Sequence, residues 1–157
     1  MNYWLVKSEP DEFSLDHLKA RPNQTGGWDG VRNFAARNHL RSMKVGDKVL
    51  FYHSSIKVPE VVGIATVVRE AYPDASAWDP KSDYHDPKAS PEKPIWSMVD
   101  VKYQSRFKRG VTLPEMKEMK ALKDMVLLHR GRLSVQPVTE KEFEAIVKAS
   151  NTAAPKP

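Results

Sequence analysis

Val61-Val62-Gly63-Ile64-Ala65-Thr66-Val67-Val68 is the stretch that decides the fold. Six of its eight residues are β-branched, side chains that lose rotamer freedom in a helix and pack well on a pleated surface, so it reads as a strand. Upstream, Lys48-Val49-Leu50-Phe51-Tyr52-His53 reads as a second, buried strand. It is entered through Lys44-Val45-Gly46-Asp47, a helix exit and tight turn, and Asn33 can cap the helix before it, from Phe34 to about Met43. Further out, Tyr3-Trp4-Leu5-Val6-Lys7 forms a first strand that Pro10 bounds by removing a backbone donor. Ser14 caps a short helix over Leu15–Ala20, which Pro22 stops, and 23–30 is turn chemistry holding three of the seven glycines.

Downstream, the stretch from Tyr72 to Pro94 carries prolines at 73, 80, 87, 91 and 94 and keeps no hydrophobic period. It reads as a long loop, and Trp78, Tyr84 and His85 favour its packing over a site rather than trailing in water. Strand pattern resumes over Trp96–Tyr103. Pro114 opens a helix through Leu122, and Met125 to Leu128 continues as another helical turn. Leu133–Val138 alternates as a half-buried strand, and Thr139-Glu140-Lys141-Glu142 is a capping box opening a last helix to about Lys148. Residues 150–157 read as a frayed tail, which assigns one domain to residues 1–149. Five or six strands with little sequence between most of them predict a mostly β, α+β domain: a mixed, strongly curved sheet closing into a barrel, with short peripheral helices. A flavodoxin-like layered sandwich is disfavoured because its crossover helices are longer.

At 157 residues the chain is long enough for one real core. The absence of cysteine excludes disulfide scaffolds, thiolate chemistry and iron–sulfur clusters, and the five histidines contain no pair spaced three to five apart. No metal and no cofactor is therefore expected. The glycine fingerprint for dinucleotides and the phosphate-cradling loop are missing, and no serine sits in a nucleophile elbow. Charged Lys7, Glu9, Asp11 and Glu12 interrupt the N-terminus where a secretory signal needs an apolar run, and no window reaches the ~20 apolar residues of a membrane span. The reading is a cytoplasmic protein without a membrane partner, association with a nucleoid or nucleus being compatible. No heptad or exposed apolar run dictates a dimer, so it is read as a monomer.

The net charge of +5 is unevenly spread: Val101–Ser134 holds nine Lys or Arg against three acids. That asymmetry suits a surface that meets phosphates, and it equally suits a solvated lysine-rich face. Aromatic and polar residues crowd the predicted strand ends and loops: Tyr3, Trp4, Lys7, Ser8, Trp28, Arg32, Asn33, Tyr52, His53 and Ser54. Recognition of a single base uses such a set, an aromatic face for stacking and polar groups for the base edge. Trp4 and Tyr52, lying in strands, are more readily core; Asn33 is explained as a cap, and His53 as a hydrogen-bonded strand-end histidine. Trp28, in a glycine loop, serves a ligand or anchors the loop.

Five segments resemble the EVE domain family: YWLVKSEPDEFS (3–14), WDGVRNFAARNHLRSMKVGDKVLFYHS (28–54), GIATVVREAYPD (63–74), WSMVDV (96–101) and RGRLSVQPVTEKEF (130–143). The resemblance covers most of the chain in order. It implies a PUA-like fold, an open or closed β-barrel shared with YTH and other modified-base readers, and a non-catalytic pocket for a modified nucleobase. Cytosines substituted at C5 in DNA lead, with modified RNA bases as the other partner. Carried over, Lys7, Ser8, Trp28, Val31, Arg32, Asn33, Tyr52, His53 and Ser54 would line the pocket. Leu133 and Ser134 would belong to a second wall with Arg130 and Arg132, and phosphates would meet Lys108, Arg109, Arg130 and Arg132. The resemblance leaves an enzyme as the alternative, since the related ASCH branch includes hydrolases of acylated cytidine and Lys7, Glu9 and His53 are acid–base groups; a protein-interaction module is a third reading.

Overall fold

The computed structural model describes residues 1–155 of the chain. Its frame is one six-stranded sheet: β1 (Tyr3–Ser8), β2 (Thr25–Gly27), β3 (Lys48–His53), β4 (Glu60–Pro73), β5 (Ser97–Thr112) and β6 (Val135–Val138), in the spatial order β2-β5-β4-β3-β1-β6. β1 runs parallel to β3, and the other pairs are antiparallel. The expected mixed sheet is present. It is open rather than closed, because β2 and β6 are edges that pair with no further strand among the described residues.

Strict alternation buries both faces. Along β1 and β3, Trp4, Val6, Val49 and Phe51 enter one core cluster, while Leu5, Leu50 and Tyr52 enter the other. The first cluster packs under α2 (Leu15–Ala20) and α3 (Phe34–Ser42), through Leu15, Leu18, Ala36 and Leu40. The second lies against α4 (Leu113–Lys117), α5 (Val126–His129) and α6 (Glu140–Ser150), through Met116, Leu127 and Ile146. Helix starts follow their capping residues. Ser14 accepts from the His17 amide, Asn33 from Ala36 and Thr139 from Glu142, each satisfying an orphan donor of the first turn. At the opposite end of β1, Asp47 accepts from Trp4 Nε1 at 3.0 Å and from the backbone amides of Asn2 and Lys44.

Several boundaries differ from the sequence reading. β4 and β5 run well past Val68 and Tyr103 into polar residues, because they pair with each other over most of their length and need no apolar face there. Their register shifts four times, and such bulges bend long strands and strengthen their twist. At one of them Gly63 is required, since a Cβ would collide with the Ser105 carbonyl. The glycine turn contains β2, a three-residue edge strand on β5, and the short helix α1 (Pro10–Phe13) follows directly on β1. The helix expected from Pro114 to Leu122 breaks after Lys117 and resumes as a 3-10 turn over Lys120–Leu122. α6 continues to Ser150, and Thr152 and Ala149 carbonyls accept from Arg109, so the start of the expected tail is bonded; residues 156–157 lie outside the described residues. Among the described residues no helix is long and apolar enough to cross a membrane.

Candidate functional site

A cleft lies in the gap that the open sheet leaves between the end of β1 with the approach to β6 and the β2–β5 edge. It has a volume of about 810 Å³, within the range of small-ligand sites, and both sides of the gap contribute to it. Lys7 and Ser8 come from the end of β1 and Ser134 from the approach to β6; Gly26 and Gly27 come from β2 and Met98 from β5. α1 lies between, supplying Glu12 and Phe13 with Glu9 at its cap, and the loop after β2 supplies Trp28 to Arg32.

The apolar wall is part of the core. Trp28 is 8% exposed, edge-on to Phe51 at 5.3 Å and to Phe13 at 6.0 Å, so its ring is clamped at steep angles to two others. Val31, also buried, and Met98 extend this wall. Lys7 stands above the Tyr52 ring, 5.8 Å from its centre, and its ammonium donates to the Gly131 carbonyl; burial pushes its pKa down. Desolvation in the cleft and the charge of Asp74 push the Asp29 carboxyl up, and that carboxyl has no side-chain partner among the described residues.

One buried carboxylate holds the loop in place. Asp74, 0% exposed, accepts from the Gly30 amide at 2.9 Å, from Arg32 Nη1 at 2.9 Å and from the amide and hydroxyl of Ser76. Burial alone would raise its pKa; the hydrogen bonds of Ser76, Gly30 and Arg32 outweigh it and keep the carboxyl below the usual range. Arg32 in turn donates to the Tyr84 carbonyl, and the Tyr84 ring covers Gly30, where φ is +76° and any Cβ would meet the ring at 2.8 Å. The proline-rich loop is therefore packed over the site, as the sequence predicts, through Ala77, Ala89 and Trp96 beneath and Tyr84 above.

Of the residues expected at the site, Lys7, Ser8, Trp28, Val31, Arg32 and Ser134 are brought together here. The others are not among its walls. Asn33 turns its amide oxygen to the Ala36 amide as the cap of α3. Tyr52 is 3% exposed and packs in the second core cluster, where it supports Lys7 from below. His53 Nε2 accepts from the Leu15 amide at 3.2 Å, and burial together with Arg106 lowers its pKa, so the ring is neutral and its lone pair occupied. Ser54 donates its amide to the Ser8 carbonyl, and Leu133 is in the first core cluster.

The expected phosphate set divides as well. Arg130 and Arg132 are exposed on the loop that gives Gly131 and Ser134 to the cleft. Arg109 is committed elsewhere: it grips both Glu115 oxygens at 2.7 and 2.8 Å and caps the end of α6 through the Ala149 carbonyl. Lys108 is exposed on β5 outside the cleft. Phe13, Asp29 and Met98 are not legible as site residues, since each reaches the cleft only through tertiary placement, whereas Tyr84 is signalled by the aromatic content of its loop and the glycine run stands beside Asp29.

A family model described as the EVE domain matches residues 2–149. Thymocyte nuclear protein 1 of Mus musculus is 45% identical over 96% of this chain and 74% of its own length. Among solved structures, a hypothetical protein from Leishmania major is 52% identical with a TM-score of 0.92, covering 96% of this chain and 95% of that one. Human THYN1 in complex with 5-methylcytosine-containing DNA is 40% identical with a TM-score of 0.95, covering 98% and 100%. The YTH domain of a Zygosaccharomyces rouxii protein, solved with N6-methyladenosine RNA, shares the fold at 13% identity and a TM-score of 0.55, over 99% and 87% of the chains.

Proposed function

The chain belongs to the EVE domain family, and on that footing we propose that it is a non-catalytic reader of a modified base in nucleic acid. The base is a 5-substituted cytosine in DNA, extruded into the mouth of an open, PUA-like barrel. The observation that carries this reading is the cleft in the sheet gap, with an apolar wall of Trp28, Val31 and Met98 beside polar Lys7, Ser8 and Asp29. Such a wall suits a C5 methyl group, and a carboxylate suits the exocyclic amino donor of cytosine. The relative solved with 5-methylcytosine DNA supports the same class of ligand. Reading rather than hydrolysis is supported by His53, which is turned away to the Leu15 amide and leaves Lys7 and Glu9 without a histidine partner. Arg130 and Arg132 on the rim hold flanking phosphates, and the domain acts as a single unit over residues 1–149.

Fluorescence anisotropy with matched oligonucleotides carrying cytosine, 5-methylcytosine or 5-hydroxymethylcytosine, as DNA and as RNA at two salt concentrations, tests this. A preference for a modified DNA strand that persists at higher salt is expected. Equal binding that salt erases, or turnover of acylated cytidine, would overturn it. Trp28→Phe, which keeps a ring in the core, should bind all strands with a weaker preference.

A further inference from the structure

The cleft itself is poorly suited to phosphates. Around it the cations Lys7, Arg21 and Arg32 are outnumbered by Glu9, Glu12, Asp29 and Asp83. A strand whose base enters must find counter-charge outside, and Arg32 leads to such a place. Its guanidinium lies 5.5 Å from the centre of the Trp96 ring, and Phe34 stacks on Trp96 at 4.8 Å and 22°. Phe34 opens α3 and is 58% exposed. Isolated exposed aromatics are ordinary; this one is backed by a buried tryptophan and flanked by the Arg37 guanidinium at 4.7 Å.

Arg37 and Arg41 follow Phe34 at i+3 and i+7, on the same helix face. Both donate to the Ile95 carbonyl at 3.0 Å, and Arg41 also bonds Ser97. Neither meets a carboxylate: the ion pairs among the described residues are made by Arg32, Lys44, Arg106 and Arg109. From Gly30 to Gly46 the chain holds four Lys or Arg and no acid. Two like charges spaced four apart on a helix repel each other, and fixing them at one carbonyl without a counter-ion leaves a positive potential that an anion would relieve.

We propose that the Phe34–Arg37–Arg41 face of α3 is a second nucleic-acid contact, which takes the strand next to the extruded base. A neighbouring base stacks on Phe34 and the Arg37 guanidinium, and the two arginines meet its phosphates. The Arg32–Trp96–Phe34 distances put Phe34 within about 10 Å of the cleft arginine, about three base steps at roughly 3.4 Å each. The assignment rests on the base-reading cleft for its register but not for its charge.

The test is anisotropy of the full chain with a labelled 5-methylcytosine duplex and its unmodified counterpart across several salt concentrations. Phe34→Ala removes an exposed ring, leaves the core intact, and should weaken both duplexes by about tenfold while keeping their ratio. Arg37→Gln with Arg41→Gln should flatten the salt dependence by nearly two units, about 0.9 for each phosphate no longer neutralised. Arg41→Lys, which keeps the charge, should restore most of the slope of its site. Wild-type affinity and slope in both variants would overturn the proposal, as would loss of the ratio at unchanged affinity, which would make Phe34 part of the cleft. A wild-type protein without base preference would refute the cleft reading alone, because the salt slopes still judge α3.

Discussion

Segment 101–134 carries nine Lys or Arg and segment 30–46 carries four, and in each of them two meet a carboxylate. In the first, Arg109 is bound twice to Glu115 and to helix-end carbonyls, and Arg106 meets Asp16 at 2.6 Å. In the second, Arg37 and Arg41 are anchored only by neutral oxygens. The two paired arginines sharpen the contrast. Arg109 and Arg32 are each about a fifth exposed and each hold a carboxylate, but Arg109 fastens a helix end while Arg32 fastens a cleft wall. A charge count in a sequence is therefore not a count of charge available to a partner.

The strongest way to break this comparison is at Asp74. Asp74→Ala leaves the Gly30 amide and the Arg32 guanidinium without their buried acceptor, and should lower stability by about 3 kcal/mol in urea unfolding while abolishing base preference. A stable, still selective variant would show that the loop is held by its apolar contacts alone. Arg109→Ala should lower stability by about 2 kcal/mol, the scale of hydrogen bonds to charged groups, with nucleic-acid affinity and salt slope unchanged. A flatter slope would return the basic stretch to phosphate binding.

Acidification probes the cleft anchor together with its counterpart at the far end of β1. Asp74 and Asp47 are both held below the ordinary aspartate value of 3.8: burial alone would raise them, and for Asp47 the hydrogen bonds of Trp4, Lys44 and Asn2 outweigh it. Carboxyls depressed in the folded state bind protons more readily in the unfolded one. Their contribution is thus complete above 3.8 and is lost as pH falls through the lower folded values, which unfolding curves from pH 6 to about pH 2 should show. Asp74→Asn should remove part of that acid dependence. The smallest effect is expected for Lys108→Ala: unchanged stability and a salt slope moved by well under one unit, less than for Arg132→Ala.

How much was legible follows from where each signal lives. The apolar run of β3, the β-branched run of β4 and the caps Ser14, Asn33 and Thr139 act locally, so their sequence reading agrees with the structure. β2 has no apolar residue among its Thr25, Gly26 and Gly27, and it is a strand only because β5 offers it an edge. The outer halves of β4 and β5 were missed for the same reason, pairing without an apolar pattern. At the site, Lys7, Ser8, Trp28 and Arg32 announce themselves by crowding near strand ends, and Val31 enters through the family resemblance. Tyr84 and Asp74 lie some forty to fifty residues beyond the loop they hold, and only the fold joins them. Tyr52, His53 and Ser54 enter together through the strand-end crowding and the family resemblance, whereas strand alternation gives Tyr52 to the interior and the Leu15 amide occupies His53.

The strand that opens the chain is also one of the last to be completed. β1 lies between β3 and β6, with Trp4 opposite both Val49 and Pro137. During synthesis β1 can pair with β3 early, but its other edge waits for residues 135–138, a non-local closure that slows folding. Until then that edge displays unpaired backbone groups to any other strand nearby. The residues just before β6 also bring Ser134 and Gly131 to the cleft. A ribosome-bound or C-terminally truncated chain that ends before residue 135 would leave that edge open to aggregation and Lys7 without the Gly131 carbonyl in its folded place, so the cleft wall is completed together with the protection of the edge.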